Sequence, residues 1–215
     1  MIHRFRLTKG DDVCSLLHGV SFLWEVLAGF DTRHDTPPFQ TPSPISKHSS
    51  RANRDGIIAG RLEAQLTEAG RSAAEALAAL PWSEPRYVFA SPQKRAHQTA
   101  SLAFPEEDIT LHEGLRERSW GDLEGQPVHL QTPREATPPN GESWPDLQAR
   151  VAAALSDCLS RSPRRHLTVF VAHSGVIRAT RAITGGDPGG ASPPNTLHLL
   201  FSPLGGGKFR ETRLF

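Results

Sequence analysis

The sequence predicts an α/β domain: a three-layer α/β/α sandwich around a mostly parallel central sheet. Two observations carry this. Short apolar runs weighted to β-branched and aromatic residues alternate with stretches of helical periodicity, the pattern of βα units. Two of those runs, RYVFA (Arg86–Ala90) and TVFVA (Thr168–Ala172), end in polar turns that open directly into helices. In open α/β sheets ligands sit at the carboxyl ends of the strands. The chemistry is therefore expected at those two turns.

The first fifty residues are the least legible. Ile2–Thr8 could form a strand, and Val13–Ala28 a helix or a strand pair. Thr36–Pro44 (TPPFQTPSP) has four prolines in nine residues and must be an extended loop. Order returns near Asn53. Thr67 can cap a helix whose apolar face is Ala74, Leu77, Ala78 and Leu80, ended by Pro81. RYVFA is a buried strand, followed by Ser91-Pro92 and a helix over Lys94–Ala103, with Pro92 in a place proline favours. Thr110–Leu115 reads as a short edge strand and Gln131–Asn140 as a Pro/Thr loop. Ser143 caps a helix that buries Leu147, Val151, Ala154, Leu155 and Leu159. In His166–Thr184 a strand stops at His173-Ser174-Gly175, and Val176, Ile177, Ala179 and Ile183 resume with helical spacing. Gly185–Pro194 is a loop. Asn195–Phe201 and Phe209–Leu214 are two last strands joined by a turn at Gly205-Gly206-Gly207.

With 215 residues, 37% of them hydrophobic, the chain is read as a single domain over 1–215 with an atypical first segment, 1–50. Its 24 basic and 23 acidic side chains nearly cancel, so neither nucleic acid nor a membrane surface is expected as partner. Cys14 and Cys158, the two cysteines, make no disulfide framework or zinc set. Val13–Phe30 is interrupted by His18, Ser21 and Glu25 and falls short of the roughly 20 apolar residues of a membrane span. His3, Arg4, Arg6 and Lys9 precede it as a signal peptide's basic part would, but Asp11 and Asp12 intervene and no small-x-small cleavage site follows. A cytoplasmic location is expected, with the chain a monomer or homodimer.

A helix N-terminus at a strand end carries unpaired N–H donors and partial positive charge, which suit an anion, phosphate above all. His173 and Ser174 stand at one such turn. Arg95 stands in the first helical turn after the other, where its guanidinium can fork two donors onto a phosphate. Between them in sequence, Leu115–Gly125 sets Glu117 among aromatic and apolar residues, the surroundings that raise a carboxyl pKa toward general-acid use. Gly56, Gly60, Gly70 and Gly121 are assigned to turns or helix ends. Trp24, Trp82, Trp120 and Trp144 are assigned to core or pocket walls, and His97 and His198 to structural roles.

In order and spacing, SPQKRAHQTA, GLRERSWGDLEG, NGESWPDLQARV and VFVAHSGVIRA are similar to motifs of the histidine phosphatase superfamily, which includes the cofactor-dependent phosphoglycerate mutases. RANRDGIIAGRLEAQLTEAG (Arg51–Gly70) resembles the segment after the first catalytic motif in the superfamily's small bacterial phosphatases. The resemblance runs from Asn53 to the C-terminus. It implies a phosphoglycerate mutase-like fold and hydrolysis of a small phosphorylated substrate through a phosphohistidine. Arg95, His173 and Asn53 would contact phosphate, with Ser174 at the helix start in place of glycine, and Glu117 would be the proton donor. No cofactor and no metal are implied, and no metal-ligand spacing appears in the sequence.

The superfamily's Arg-His-Gly triplet, whose histidine is phosphorylated, is not intact here. Arg33-His34-Asp35 keeps the Arg-His pair and follows the apolar run Val26–Phe30. Lys47-His48-Ser49 lies at nearly the family's distance from Asn53 but after a proline-rich lead-in, which makes a poor central strand. A guanidinium forks onto phosphate where an ammonium is a point charge. His34 is thus the expected nucleophile with Arg33 as its phosphate-binding neighbour, and His48 is the alternative. The broken triplet also admits a pseudo-phosphatase that binds phosphorylated ligands without chemistry. A mutase is the third reading, disfavoured because Gly125 and Gly141 are too close in sequence for the mutases' long insertion.

Overall fold

The computed structural model describes residues 20–24, 50, 52, 55–80, 85–163, 166–190, 197–205 and 208–213. Among these residues six strands, β1 (Val20–Trp24), β2 (Arg86–Ala90), β3 (Ile109–Leu111), β4 (Leu167–Val171), β5 (Leu197–Gly205) and β6 (Lys208–Arg213), form one sheet in the order β3-β2-β4-β1-β5-β6. The run from β3 to β1 is parallel, and β5 and β6 add an antiparallel flank. The α/β prediction therefore holds. Within Val13–Ala28, the described part is strand.

Among the described residues, four helices flank the sheet: α1 (Glu68–Leu77), α2 (Lys94–Ala103), α3 (Trp144–Arg161) and α4 (Ser174–Ile183). Side chains alternate across a strand, so β2 and β4 feed two separate cores. Phe89 and Phe170, stacked with centroids 5.8 Å apart, point to α3 and α4 and pack with Leu147, Val151, Val176 and Ile177. Val88, Ala90, Val169 and Val171 point the other way, onto Leu77, Ala96, Ala100 and Ala103 of α1 and α2. Those small alanines let α2 approach the sheet closely. These are the two outer layers of the sandwich.

The helix starts follow the sequence. Thr67 Oγ1 accepts the Gly70 N–H at 3.1 Å, and Ser143 Oγ accepts that of Asp146 at 3.2 Å, each satisfying a donor the helix leaves unpaired. Arg181 of α4, only 5% exposed, donates twice at 2.6 Å to Glu211 of β6. That pair ties α4 to the outer edge strand, whose exposed Lys208 and Arg210 blunt its pairing edge.

Three boundaries differ from the sequence reading. The helix expected to run to Pro81 ends at Leu77, and Ala78 is exposed. The expected strand Thr110–Leu115 stops at Leu111 and becomes a 3-10 turn over Glu113–Leu115. His112 causes the change: its Nδ1 accepts the Gly114 N–H at 3.0 Å, which bends the chain and swings Leu115 into the core. The turn expected to begin at Gly205 starts later, because β5 pairs through Pro203 and Gly205 with an irregularity between them. Ile2–Thr8, Thr36–Pro44 and the part of the Gly185–Pro194 loop beyond Gly190 lie outside the described residues.

Phe170 is fully buried between β2 and the α3–α4 layer. Phe170→Ala should cost about 3–5 kcal/mol, read as a lowered urea midpoint with an unchanged denaturant slope.

Candidate active site

Parallel pairing of β2 with β4 runs from Arg86↔Leu167 to Ala90↔Val171, and the Ser91 N–H extends it by donating to Val171 O at 2.8 Å. The two strands thus end together. Ser91 and His173, the residues that leave them, meet at 2.8 Å from Oγ to Nε2. His173 is the N-cap of α4, with extended backbone and no side-chain capping bond. Its ring is turned to the β2 side and is 4% exposed. Burial, then the charges of Arg95, Arg150 and Arg116, hold its pKa well below 6.5. It is a neutral imidazole in a field of guanidiniums. A phosphate brought to it would reverse that field and favour the protonated ring.

Arg95 leaves the first turn of α2 and is 7% exposed. Its guanidinium donates to Gly60 O at 2.9 Å and Leu62 O at 3.0 Å. Gly60 reaches this position with φ +48°, in the region glycine favours. Gln93, fully buried, shares Gly60 O as an acceptor at 3.1 Å. Its own Oε1 accepts the Glu117 N–H at 2.7 Å. One amide thereby locks the Arg95-bearing helix start, the Gly60 turn and the Glu117 segment together.

The Glu117 carboxylate lies across the start of α4. It accepts the Gly175 N–H at 2.9 and 3.2 Å and the Arg118 N–H at 2.8 Å. Burial raises its pKa above the ordinary 4.5, against the opposing pull of the Arg118 N–H, the Arg95 charge, the Gly175 N–H and the Arg150 charge. Glycine at 175 lets the carboxylate come this close, since a Cβ there would collide with Glu117 Oε1 and push it aside. From α3, Arg150 clamps the back of the segment by donating at 2.9 Å to the carbonyls of Gly114 and Arg116. Glu142 balances it through two contacts of 2.7 Å.

Arg95, Glu117, His173 and Ser174 thus belong to one site at the carboxyl edge of the sheet. Arg33, His34, His48 and Asn53 lie outside the described residues. Sequence reasoning misses Ser91, Gln93, Arg150 and Glu142. Gln93 lies inside the motif SPQKRAHQTA, and its place between a strand end and a helix start is the available signal. Ser91 lies in the same motif, and Glu142 and Arg150 lie in NGESWPDLQARV, but these three act through tertiary pairing, which no local pattern reports. Gly56, Gly60 and Gly121 all have positive φ, as turn glycines should. Trp120 and Trp144 line a cavity beside Glu117, as pocket walls should.

One group of metal-ligand residue types exists among the described residues: His112, Asp157 and Cys158, whose donor atoms lie within 4.8 Å of one another. The hydrogen bonding opposes a metal there. Because His112 Nδ1 accepts the Gly114 N–H, a neutral ring carries its proton on Nε2, facing Asp157 Oδ2 at 3.3 Å. The Cys158 thiol is fully buried and pushed up to about 12, mainly by burial. The group is a close His–Asp pair over a core cysteine.

His173 makes the stability of the fold depend on acid. Its folded pKa is depressed, so below about 6.5 the unfolded chain takes up a proton that the folded site refuses, and stability falls as pH falls. His173→Asn should lessen the stability lost between about pH 7 and pH 5, measured by urea unfolding across that window.

Comparison with known proteins meets this geometry. The histidine phosphatase superfamily (branch 1) matches residues 48–195. A Hydrogenobacter thermophilus protein named "Putative phosphoserine phosphatase 2" is 31% identical over 147 residues, covering 60% of this chain and 71% of the relative. The crystal structure of phosphoglycerate mutase from Thermus thermophilus superposes with a TM-score of 0.61 at 28% identity, covering 77% of this chain and 93% of that one. An Escherichia coli structure described as "a putative alpha-ribazole-5'-P phosphatase" superposes with a TM-score of 0.66. At 20% identity, over 78% of this chain and 92% of that one, it is a likeness of fold. The fold is phosphoglycerate mutase-like, and by the match over residues 48–195 the chain belongs to the histidine phosphatase superfamily.

Proposed function

We propose that the chain is a phosphomonoesterase that hydrolyses a small phosphorylated metabolite through a phosphohistidine. The observation that carries this is Glu117: a carboxyl held proton-prone by burial, hydrogen-bonded to the helix start that follows His173. The phosphatase names of relatives within the superfamily support the same reading.

In this reaction a histidine nitrogen attacks phosphorus in line with the ester oxygen. Arg95, His173 and the α4 N-terminus hold the non-bridging oxygens, whose charge grows in the transition state. The P–O bond to the leaving group breaks, and the departing alkoxide takes the Glu117 proton. Glu117, now a carboxylate, removes a proton from water as its oxygen attacks phosphorus. The P–N bond then breaks, returning the free histidine and inorganic phosphate.

β1 lies parallel to β4, so the chain leaves it at the edge where His173 stands. The segment that follows contains both His34 and His48. The Arg33-His34 pair favours His34 as nucleophile and Arg33 as its phosphate contact. The matched span begins at residue 48 and counts for His48. Asn53 is assigned a further phosphate contact, and Ser174 the helix-start donors. The mutase reading is weaker because the stretch from Gly125 to Gly141 is a 3-10 turn and a proline loop. The pseudo-phosphatase reading keeps the Arg95–His173 cradle and removes only the nucleophile.

Rapid-quench labelling with a radioactive phosphomonoester should give an acid-labile, base-stable phosphoprotein. The label should vanish in either His34→Ala or His48→Ala, and its absence from wild type would leave the pseudo-phosphatase. Glu117→Gln should depress turnover of an alkyl phosphate by about a hundredfold or more and that of p-nitrophenyl phosphate far less. Gly175→Ala should follow the same pattern because its methyl displaces the carboxylate. Equal losses on both substrates would remove Glu117 from the acid role.

A further inference from the structure

Beside the site is a cavity of about 240 Å³ that shares Glu117, Ser174 and Gly175 with it and extends to Gln131, Thr132 and Arg134. Its charge is one-sided. Among the described residues of the lining, Glu117 is the only acidic one, against the guanidiniums of Arg118, Arg134 and Arg178. Trp120 and Trp144 form aromatic walls, with Arg118 over the first ring at 4.7 Å and Arg134 over the second at 5.5 Å.

The three arginines are not equivalent. Arg118, 1% exposed, directs its fork at the carbonyls of Glu142, Arg134 and Ala136 at 2.8–2.9 Å. It is the strut that holds the 131–140 loop in place. Arg178 donates at 2.8 and 2.9 Å to the carbonyls of Pro188 and Gly190, which anchors a second loop at the cavity. Carbonyls carry no net charge. Besides Glu117, the carboxylate of Glu142 acts on Arg118 and that of Asp187 on Arg178, and both lie outside the lining. The guanidinium of Arg134 stacks on Trp144 and has no hydrogen bond or ion pair among the described residues. Close by, Thr132 Oγ1 is a buried hydroxyl with no hydrogen-bond partner among the described residues. Burying an unpaired hydroxyl costs free energy, and a group that fills the cavity and accepts its proton removes that cost. Arg178 is further crowded: burial, then the charges of Arg134 and Arg181, hold its pKa below the ordinary value. An anion between the arginines would relieve that repulsion.

We propose that the cavity is a subsite for a second acidic group, carboxylate or phosphate, on the leaving group of the substrate. Arg134 supplies a guanidinium fork, Thr132 a hydroxyl donor, and the tryptophans clasp the short link to the reacting phosphate. The proposal rests on the phosphatase reading for the identity of that first phosphate. It makes the substrate a compact phosphoester with a second anion, set apart from esters of neutral alcohols by Arg134.

The test uses phosphonates that cannot be turned over, so it is read even if the protein proves inactive. Calorimetry on the full chain compares 4-carboxybenzyl phosphonate, 4-phosphonobenzyl phosphonate and the neutral 4-carbamoylbenzyl phosphonate. Wild type should bind one of the two acidic probes at least about tenfold more tightly than the amide, and which one it favours identifies the second anion. The ratio should collapse toward one in Arg134→Met, recover in part in Arg134→Lys, and shrink in Thr132→Val. A general loss of structure weakens all probes together and leaves the ratio alone. A wild-type ratio near one overturns the subsite, and an undiminished ratio in Arg134→Met overturns the role of Arg134. If wild type prefers an acidic probe yet hydrolyses no phosphomonoester, the subsite stands and the phosphatase reading falls.

Discussion

Every distance in the site depends on the in-register pairing of β2 with β4. A parallel ladder cannot slip by one residue without turning every side chain to the opposite face. Here such a slip would exchange Phe89 and Phe170 for Val88 and Val169 in cores of different depth. Correct burial on both faces of the sheet therefore fixes where each strand ends. Ser91 and His173 meet because Ala90 and Val171 are paired. The hydrophobic core sets the chemistry's geometry to within a hydrogen bond's tolerance, with no polar contact needed to find it.

On that frame the site is held by polar groups whose own requirements are met elsewhere. Arg95 and Gln93 converge on one carbonyl, Gly60 O, so the helix start and the turn it reaches cannot move independently. Glu117 is the balance point. Two N–H donors and two cations favour its charged form, and burial favours the neutral form and wins. The acid of the proposed reaction, which would release a proton and recover it within one turnover, needs such opposing influences, because either alone would hold it in one state. His173 is tuned by the same arginines in the opposite sense, toward losing its proton. The site thus sets a carboxyl whose pKa is raised beside an imidazole whose pKa is lowered, a separation that suits the phosphate of the proposed reaction.

Much of this is legible in the sequence. TVFVA and RYVFA are readable as buried strands because both faces are covered, leaving unbroken apolar runs, and the turns after them point to His173 and Arg95. Glu117 is readable from its apolar and aromatic neighbours. What cannot be read are side chains whose role is created by tertiary contact. Arg118 looks like any charged residue in RER, yet it is fully buried and bound to three carbonyls, all of them distant from it in sequence. His112 ends a strand through a backbone bond to Gly114 that its β-compatible neighbours conceal. The early histidines pose a different difficulty. His34 and His48 each keep part of a triplet, and a one-dimensional pattern ranks partial matches poorly when the strand beneath them is weakly signalled.

The broken triplet bears on how the parts of such a site separate. In the proposed function, holding the phosphate falls to Arg95, His173 and the α4 start, and in the proposed subsite choosing its ester falls to the walls and cations of the neighbouring cavity. Both are assembled by the two strand ends and the loops that Arg118, Arg150 and Arg178 secure. In the proposed reaction the nucleophile comes from another strand end, reached through the chain that leaves β1. Loss of that histidine would leave binding and selectivity physically intact, because the bonds that place Gln93, Glu117 and Arg118 run to the Gly60 turn, the α4 start and the 131–142 segment instead. A chain built this way can lose turnover while keeping ligand recognition. On this reading, the histidine that follows β1 decides whether the protein turns its phosphoester over or only retains it.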